Sequence, residues 1–222
     1  MPVENIIIDY VISLGSACMP AIYMYNNGYR DGSYPFDWIY TPPCALVKII
    51  ENNFDNFIGK DYDLVEEEPD KSKKLKMVKN NIYQTVFFHD FYNDKTISDQ
   101  IEQVNQKYIN KINRFNIACT SGKKILFIRS NTIKEQADEI INVLEKKYEN
   151  LDFTLLLIND SKTFQNLQND NNKIKELLVE SYDDVSTVCN QLSDLIIYDQ
   201  EKLQKNIQFK INNPIKEYGI LD

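Results

Sequence analysis

The order of apolar runs predicts an α/β domain of three layers, with a mostly parallel sheet and helices on both faces. Residues 125–128 are an unbroken apolar run, and residues 153–158 are a second that is apolar except for Thr154. Between them Ala137, Ile140, Ile141, Leu144 and Tyr148 recur at helical spacing. Strand, helix and strand within about 35 residues make a βαβ unit, whose parallel strands need such a crossover. A third observation extends the pattern to the N-terminus: Val11, Ile12 and Leu14 form the kind of run seen in a strand buried on both faces.

Taken in order, the chain opens with a strand covering at most residues 6–14. Gly15 follows at once and lets the backbone turn sharply. Ala17, Ala21 and Met24 then share a helical stripe, Pro20 is tolerated near a helix start, and Gly28 is a natural stop. Cys18 falls in the first turn of that helix, where unpaired N–H groups and the positive dipole end favour a thiolate. Residues 29–43 form a loop rich in polar and aromatic side chains. A helix follows over residues 44–53, with Leu46, Ile49 and Ile50 on one face.

Residues 55–81 read as an irregular or mobile insertion. In it Glu66, Glu67, Glu68 and Asp70 run directly into Lys71, Lys73, Lys74 and Lys76, the pattern of a solvated loop or hairpin. Thr85, Val86, Phe87 and Phe88 then make a strand-like run ending at His89, the single histidine, with Asp90 and Phe91 behind it. Residues 97–115 form a long helix carrying Ile101, Val104, Tyr108, Ile112 and Phe115 on one side. Ser121 and Gly122 separate it from the strand at 125–128, which ends in Arg129 and Ser130. The residues from Thr132 to Glu135 match a capping box, and Asn159 with Asp160 terminates the strand at 153–158. Further on, residues 162–170 read as a polar helix or loop and 177–179 as a short strand. Residues 185–192 form a helix with Cys189 inward, and 195–198 a last strand. From Glu201 the periodicity is weak and predicts a segment wrapping the surface.

A chain of 222 residues suits one domain spanning 1–222 and is long enough to bury a substantial core. A net charge of −8 argues against a nucleic-acid backbone or an anionic membrane as the main partner. The four cysteines, at 18, 44, 119 and 189, form no CxxC and no Cys/His cluster, so neither metal nor other cofactor is expected. Their pattern fits a reducing, cytoplasmic setting. The first residues lack the basic region of a signal peptide, and no run is long enough to span a bilayer.

In sheets of this class the active crevice lies beyond the carboxyl ends of the strands. Leu14-Gly15-Ser16, His89-Asp90, Arg129-Ser130 and Asn159-Asp160 all stand at such ends and are expected to converge there. Cys18 and His89 make a candidate thiol–imidazole pair, with Cys18 as nucleophile and His89 as base. The bland alternative is a packed cysteine, since a free thiol behaves as a small hydrophobe. Arg30 and Asp37 have two readings. Either they form a buried ion pair that pins the loop, anchored by Pro35, Phe36 and Trp38, or Arg30 holds a substrate anion while Asp37 orients His89. Neighbours on a regular strand point to opposite faces, which makes Asp37 a better partner for the His89 ring than Asp90.

The segments ISLGSAC, GYRDGSYPFDWI and FFHDF resemble a family described as papain-like cysteine peptidases, a domain of unknown function found in bacteria and large DNA viruses. The likeness rests on Leu14, Gly15, Cys18, Ala21, Arg30, Ser33, Pro35, Phe36, Asp37, Trp38, His89, Asp90 and Phe91. It implies a thiol hydrolase or acyl transferase with Cys18, His89 and Asp90 as catalytic residues. Gly15, Ser16, Arg30, Asp37, Trp38 and Arg129 would support the site or bind a peptide, acyl or sugar-like substrate. It also implies an α+β fold with an antiparallel barrel or sheet, against which the periodicity sets a parallel one. A strand ending in Gly-Ser before a helix is also similar to the first block of SGNH-type esterases and the GSCFA group. That likeness makes Ser16 the nucleophile, but it implies a His near the C-terminus, and this chain has none beyond position 89. A non-catalytic ligand-binding module is the third reading.

Overall fold

A computed structural model describes residues 6–59, 61–65, 74–164, 171–181 and 184–212. The fold is α/β. Its centre is a parallel sheet in the order β2-β7-β8-β9, formed by Tyr10–Ser13, Ile125–Ser130, Phe153–Asp160 and Ile174–Val179. The strand expected at the N-terminus is broken at Asp9. Its first part, β1 (Ile6–Ile8), pairs in parallel with β10 (Ile196–Tyr198).

The two central strands explain the layering. Along β7, Ile125 and Phe127 enter one hydrophobic cluster, and Leu126 and Ile128 enter the other. Both faces are therefore covered, as unbroken apolar strands require. One face packs on α1 (Met19–Asn26) and α5 (Val185–Leu195). The other packs on α2 (Pro43–Glu51), α3 (Ile97–Cys119) and α4 (Lys134–Lys147). The expected βαβ unit is β7-α4-β8, its strands adjacent, parallel and in register from Ile125 opposite Phe153 to Ser130 opposite Ile158.

A second, antiparallel sheet departs from the expectation of one mostly parallel sheet. Its order is β3-β6-β5-β4, built from Ile39–Tyr40, Val86–Tyr92, Leu75–Asn80 and Tyr62–Leu64. Two of these strands lie within the stretch 55–81 expected to be irregular. Their pattern is hard to read because β5 is Lys-rich while its inward positions are Lys76, Val78 and Asn80, only one of them apolar. Lys76 is buried with its ammonium on the Lys95 carbonyl, and Asn80 donates to the Asn56 and Phe57 carbonyls at 3.1 and 3.2 Å. The charge runs at 66–68 and 70–73 lie outside the described residues, as do 165–170 of the stretch 162–170.

Three smaller expectations shift. The α4 cap stands one residue later than the capping box predicted, with Gln136 accepting from the Ile133 N–H at 3.3 Å, because Thr132 is taken up by Arg129. Strand β9 starts at Ile174, three residues before the apolar triplet. As far as it is described, the tail forms a helix, α6 (Gln200–Asn212), rather than an irregular wrap, and residues 213–222 lie outside the described residues. This helix seats Leu203 and Ile207 against Gly28, whose φ of +72° and lack of a Cβ let them approach.

Candidate active site

Cys18 is placed by the turn that leaves β2. Gly15 and Ser16 both have φ of 76°, two consecutive left-handed residues. At Gly15 a Cβ would stand 3.2 Å from the Phe36 carbonyl oxygen and 3.2 Å from Thr41 Oγ1, so both conformation and space call for glycine. Its N–H donates to Ser13 Oγ at 3.1 Å. This turn sets Cys18 at the N-cap of α1, one position before the helical turn in which it was expected.

His89 reaches the same place from the antiparallel sheet. It is not at a parallel strand end, as the crevice rule suggested, but within β6. Lys76 pairs with Phe91 and Val78 with Phe87, so β5 advances two residues while β6 advances four. Phe88, His89 and Asp90 therefore share one partner position in a bulge, a feature that re-aims side chains. Phe87, Asp90 and Phe91 are buried, and His89 is left half-buried. Its Nε2 lies 3.6 Å from Cys18 Sγ.

The Arg30 to Trp38 block is delivered to this pair by β3, which pairs Ile39 with Phe87 and Tyr40 with Val86. Arg30 donates to Asp37 Oδ2 at 2.8 Å, to Ser33 Oγ at 2.8 Å and to the Gly32 carbonyl at 3.1 Å. Tyr34 N–H also donates to Asp37 Oδ2, at 2.9 Å. This is the loop-pinning reading: both charged groups serve the loop. Trp38, buried and with φ of 64°, stands edge-on to the His89 ring with centroids 6.0 Å apart. The Arg30 guanidinium lies over the indole of Trp38, 5.2 Å from its centroid.

Asp90 is held by α3. Its Oδ2 accepts from Tyr108 Oη at 2.9 Å, and its Oδ1 pairs with Lys107 Nζ at 3.2 Å. Arg129 is fully buried among neutral acceptors. It donates to the Leu14 carbonyl at 2.5 Å, the Thr41 carbonyl at 2.7 Å and Thr132 Oγ1 at 3.1 Å. Its guanidinium thus braces the end of β2 rather than facing a ligand. Ser16 Oγ is 2.9 Å from Ser130 Oγ, and Asn159 ties Thr132 to Glu176. The strand ends do gather, but Ser16 is engaged by a serine and not by the imidazole.

Electrostatics reverse one expectation. Burial pushes the Cys18 thiol up to about 11, with the Asp37 carboxylate adding to it, so the N-terminal dipole does not leave a resting thiolate. Burial holds His89 below the ordinary histidine range; Asp90 opposes this, and Lys107 and Lys111 reinforce it. At neutral pH the resting pair is a neutral thiol beside a neutral imidazole. Such a pair works by proton transfer as the sulfur attacks.

The sequence reading missed Lys107, Tyr108 and Lys111. Tyr108 was placed on the inner stripe of the long helix. Lys107 and Lys111 flank it at helical spacing, and two lysines on an apolar stripe were the available signal.

A family model described as "Putative papain-like cysteine peptidase" matches residues 9–163. An uncharacterized protein, R408, of Acanthamoeba polyphaga mimivirus is 31% identical over 176 residues, covering 68% of this chain and 78% of that one. No solved structure matches. The matched span contains Cys18, His89 and the loop between them.

Proposed function

Because this chain belongs to the "Putative papain-like cysteine peptidase" family, we propose that it is a cysteine-dependent hydrolase or acyl transferase with Cys18 as nucleophile and His89 as base. The 3.6 Å approach of Cys18 Sγ to His89 Nε2 carries this reading. His89 Nε2 takes the thiol proton as Sγ bonds to the acyl carbon, and the same proton passes to the departing amine or alcohol. Water or a second amine, deprotonated by His89, then displaces the thiolate from the thioester. The backbone N–H groups of Ser16, Ala17 and Cys18, with the Ser16 hydroxyl when Ser130 donates to it, are the donors available to the developing oxyanion. A peptide or another acyl compound is the substrate class that fits, and a reducing compartment keeps the thiol free.

The test is acylation. The protein is incubated with activated acyl esters and short peptide esters, quenched in acid and examined by peptide mass spectrometry. A thioester on Cys18, absent in Cys18→Ala and at least about 100-fold slower to form in His89→Gln, is expected from loss of general-base catalysis. No adduct, or an adduct on Ser16, overturns the reading.

A further inference from the structure

One turn of α3 presents Lys107, Tyr108 and Lys111 on a single face, at spacings that bring side chains together on a helix. All three converge on the β6 bulge. Tyr108 Oη and Lys107 Nζ both hold the Asp90 carboxylate. Lys111 is only 4% exposed, and its ammonium stands 4.2 Å from the Tyr108 ring centroid. A buried lysine is costly, so its presence here needs a reason. Nothing in the Cys18–His89 chemistry uses it directly.

We propose that this turn of α3 is the positioning device for His89: it draws Asp90 inward, which turns the preceding residue of the bulge toward Cys18, and its two ammonium groups tune the imidazole. The inference rests on the acyl-transfer reading. If Asp90 were released, the bulge could relax to a regular pleat, and alternate side chains would change face. The charge balance is as important as the geometry. One carboxylate, Asp90, stands against two ammonium groups, so the imidazole experiences a net positive field from below and resists protonation at rest.

Other titratable groups around this cluster are accounted for. The 29–43 loop contributes Arg30 and Asp37, which neutralise each other at 2.8 Å. The start of α1 contributes Cys18, as a thiol. Strand β4 contributes Tyr62, uncharged because burial pushes its hydroxyl far up. On β5 the ammonium of Lys76 is bound to the Lys95 carbonyl. Asp90, Lys107 and Lys111 are thus the charges left to act on His89.

The whole protein offers a direct readout, since it has one histidine. Its imidazole titration is followed by NMR in the wild type and in Lys107→Met, Lys111→Met and Lys111→Arg. In both Met variants the midpoint should rise by about half a pH unit or more, as expected for removing a nearby partly buried charge. Lys111→Arg keeps the charge and should leave it unmoved. Lys107 reaches solvent, so Lys107→Met decides the matter if Lys111→Met fails to fold. An unmoved or lowered midpoint in Lys107→Met overturns the proposal, because a merely structural lysine would give that result. Acylation of Cys18 is measured on the same samples. Absent acylation with shifted midpoints refutes the enzymatic reading alone, whereas acylation with unmoved midpoints refutes only the positioning device.

Discussion

At the scale of single residues, burial decides the chemistry more than sequence position does. Cys18 stands at a helix N-terminus and yet is a thiol, since burial and the Asp37 carboxylate both disfavour its charged form. Asp90 shows the opposite balance. Burial pushes its carboxyl up, but Lys111, Lys107 and the Tyr108 hydroxyl hold it below the usual carboxylate range. A carboxyl depressed in the folded state adds stability above its unfolded pKa of about 3.9, and loses it as pH falls through the folded value. Asp90→Asn should therefore cost about 3–5 kcal/mol at pH 7, the penalty of stranding buried charges. Urea denaturation should show this difference shrinking as pH falls below about 4, where the unfolded carboxyl takes up its proton, and disappearing only below the lower folded value. A gap that stays constant down to pH 3 would mean that packing, not charge, carries the effect. Lys111 works in the other direction, burial having lowered it to about 8. Below that pH its charge opposes folding, so Lys111→Met should be neutral or stabilising at pH 7 by calorimetry, provided Lys107 still pairs with Asp90.

At the scale of elements, what was legible followed apolar content. The strands β7 and β8 and the helix between them announce themselves through unbroken or periodic apolar residues. The antiparallel sheet did not, because β5 turns Lys76 and Asn80 inward and satisfies them with carbonyls. The bulge in β6 was beyond reach for another reason: it exists only in the register between two strands. The true capping box also escaped notice, since it uses Asp rather than Glu. Thr96 Oγ1 accepts from the Asp99 N–H at 3.2 Å, and Asp99 Oδ2 accepts from the Thr96 N–H at 3.3 Å. Thr96→Ala should cost about 1 kcal/mol of stability. Since α3 carries the Lys107 to Lys111 turn in its middle, the lost cap should fray only the first turn. The His89 titration in that variant should match the wild type; a shifted midpoint would mean that the helix moves as a unit.

At the scale of the whole molecule, the resemblance and the periodicity described different halves of one arrangement. The parallel sheet supplies Cys18 and the antiparallel sheet supplies His89, so the candidate site exists only where the two sheets meet. Arg129 holds that junction, joining the end of β2 to the Thr41 segment that follows β3. The distribution of thiols allows the arrangement to be probed as a whole. Cys44 is exposed, Cys18 and Cys189 are half-buried, and Cys119 is buried. Alkylation needs the thiolate and access, and burial opposes both at Cys18, Cys189 and Cys119. Iodoacetamide near neutral pH should therefore modify Cys44 first, by peptide mapping, and Cys119 last. This replaces the expectation that a helix N-terminus favours a thiolate at Cys18. With Cys44→Ala removing the exposed thiol, Cys18 labelling should slow in His89→Gln while Cys189 labelling does not change. Arg129→Met should unlatch the junction at a cost of about 2–5 kcal/mol, because it strands two buried carbonyls. In that variant Cys18 should label faster, as the two sheets separate and solvent reaches the thiol. Unchanged labelling of Cys18 in Arg129→Met, with the stability loss confirmed, would show that the Cys18 turn is held by Gly15 and Ser16 without the guanidinium.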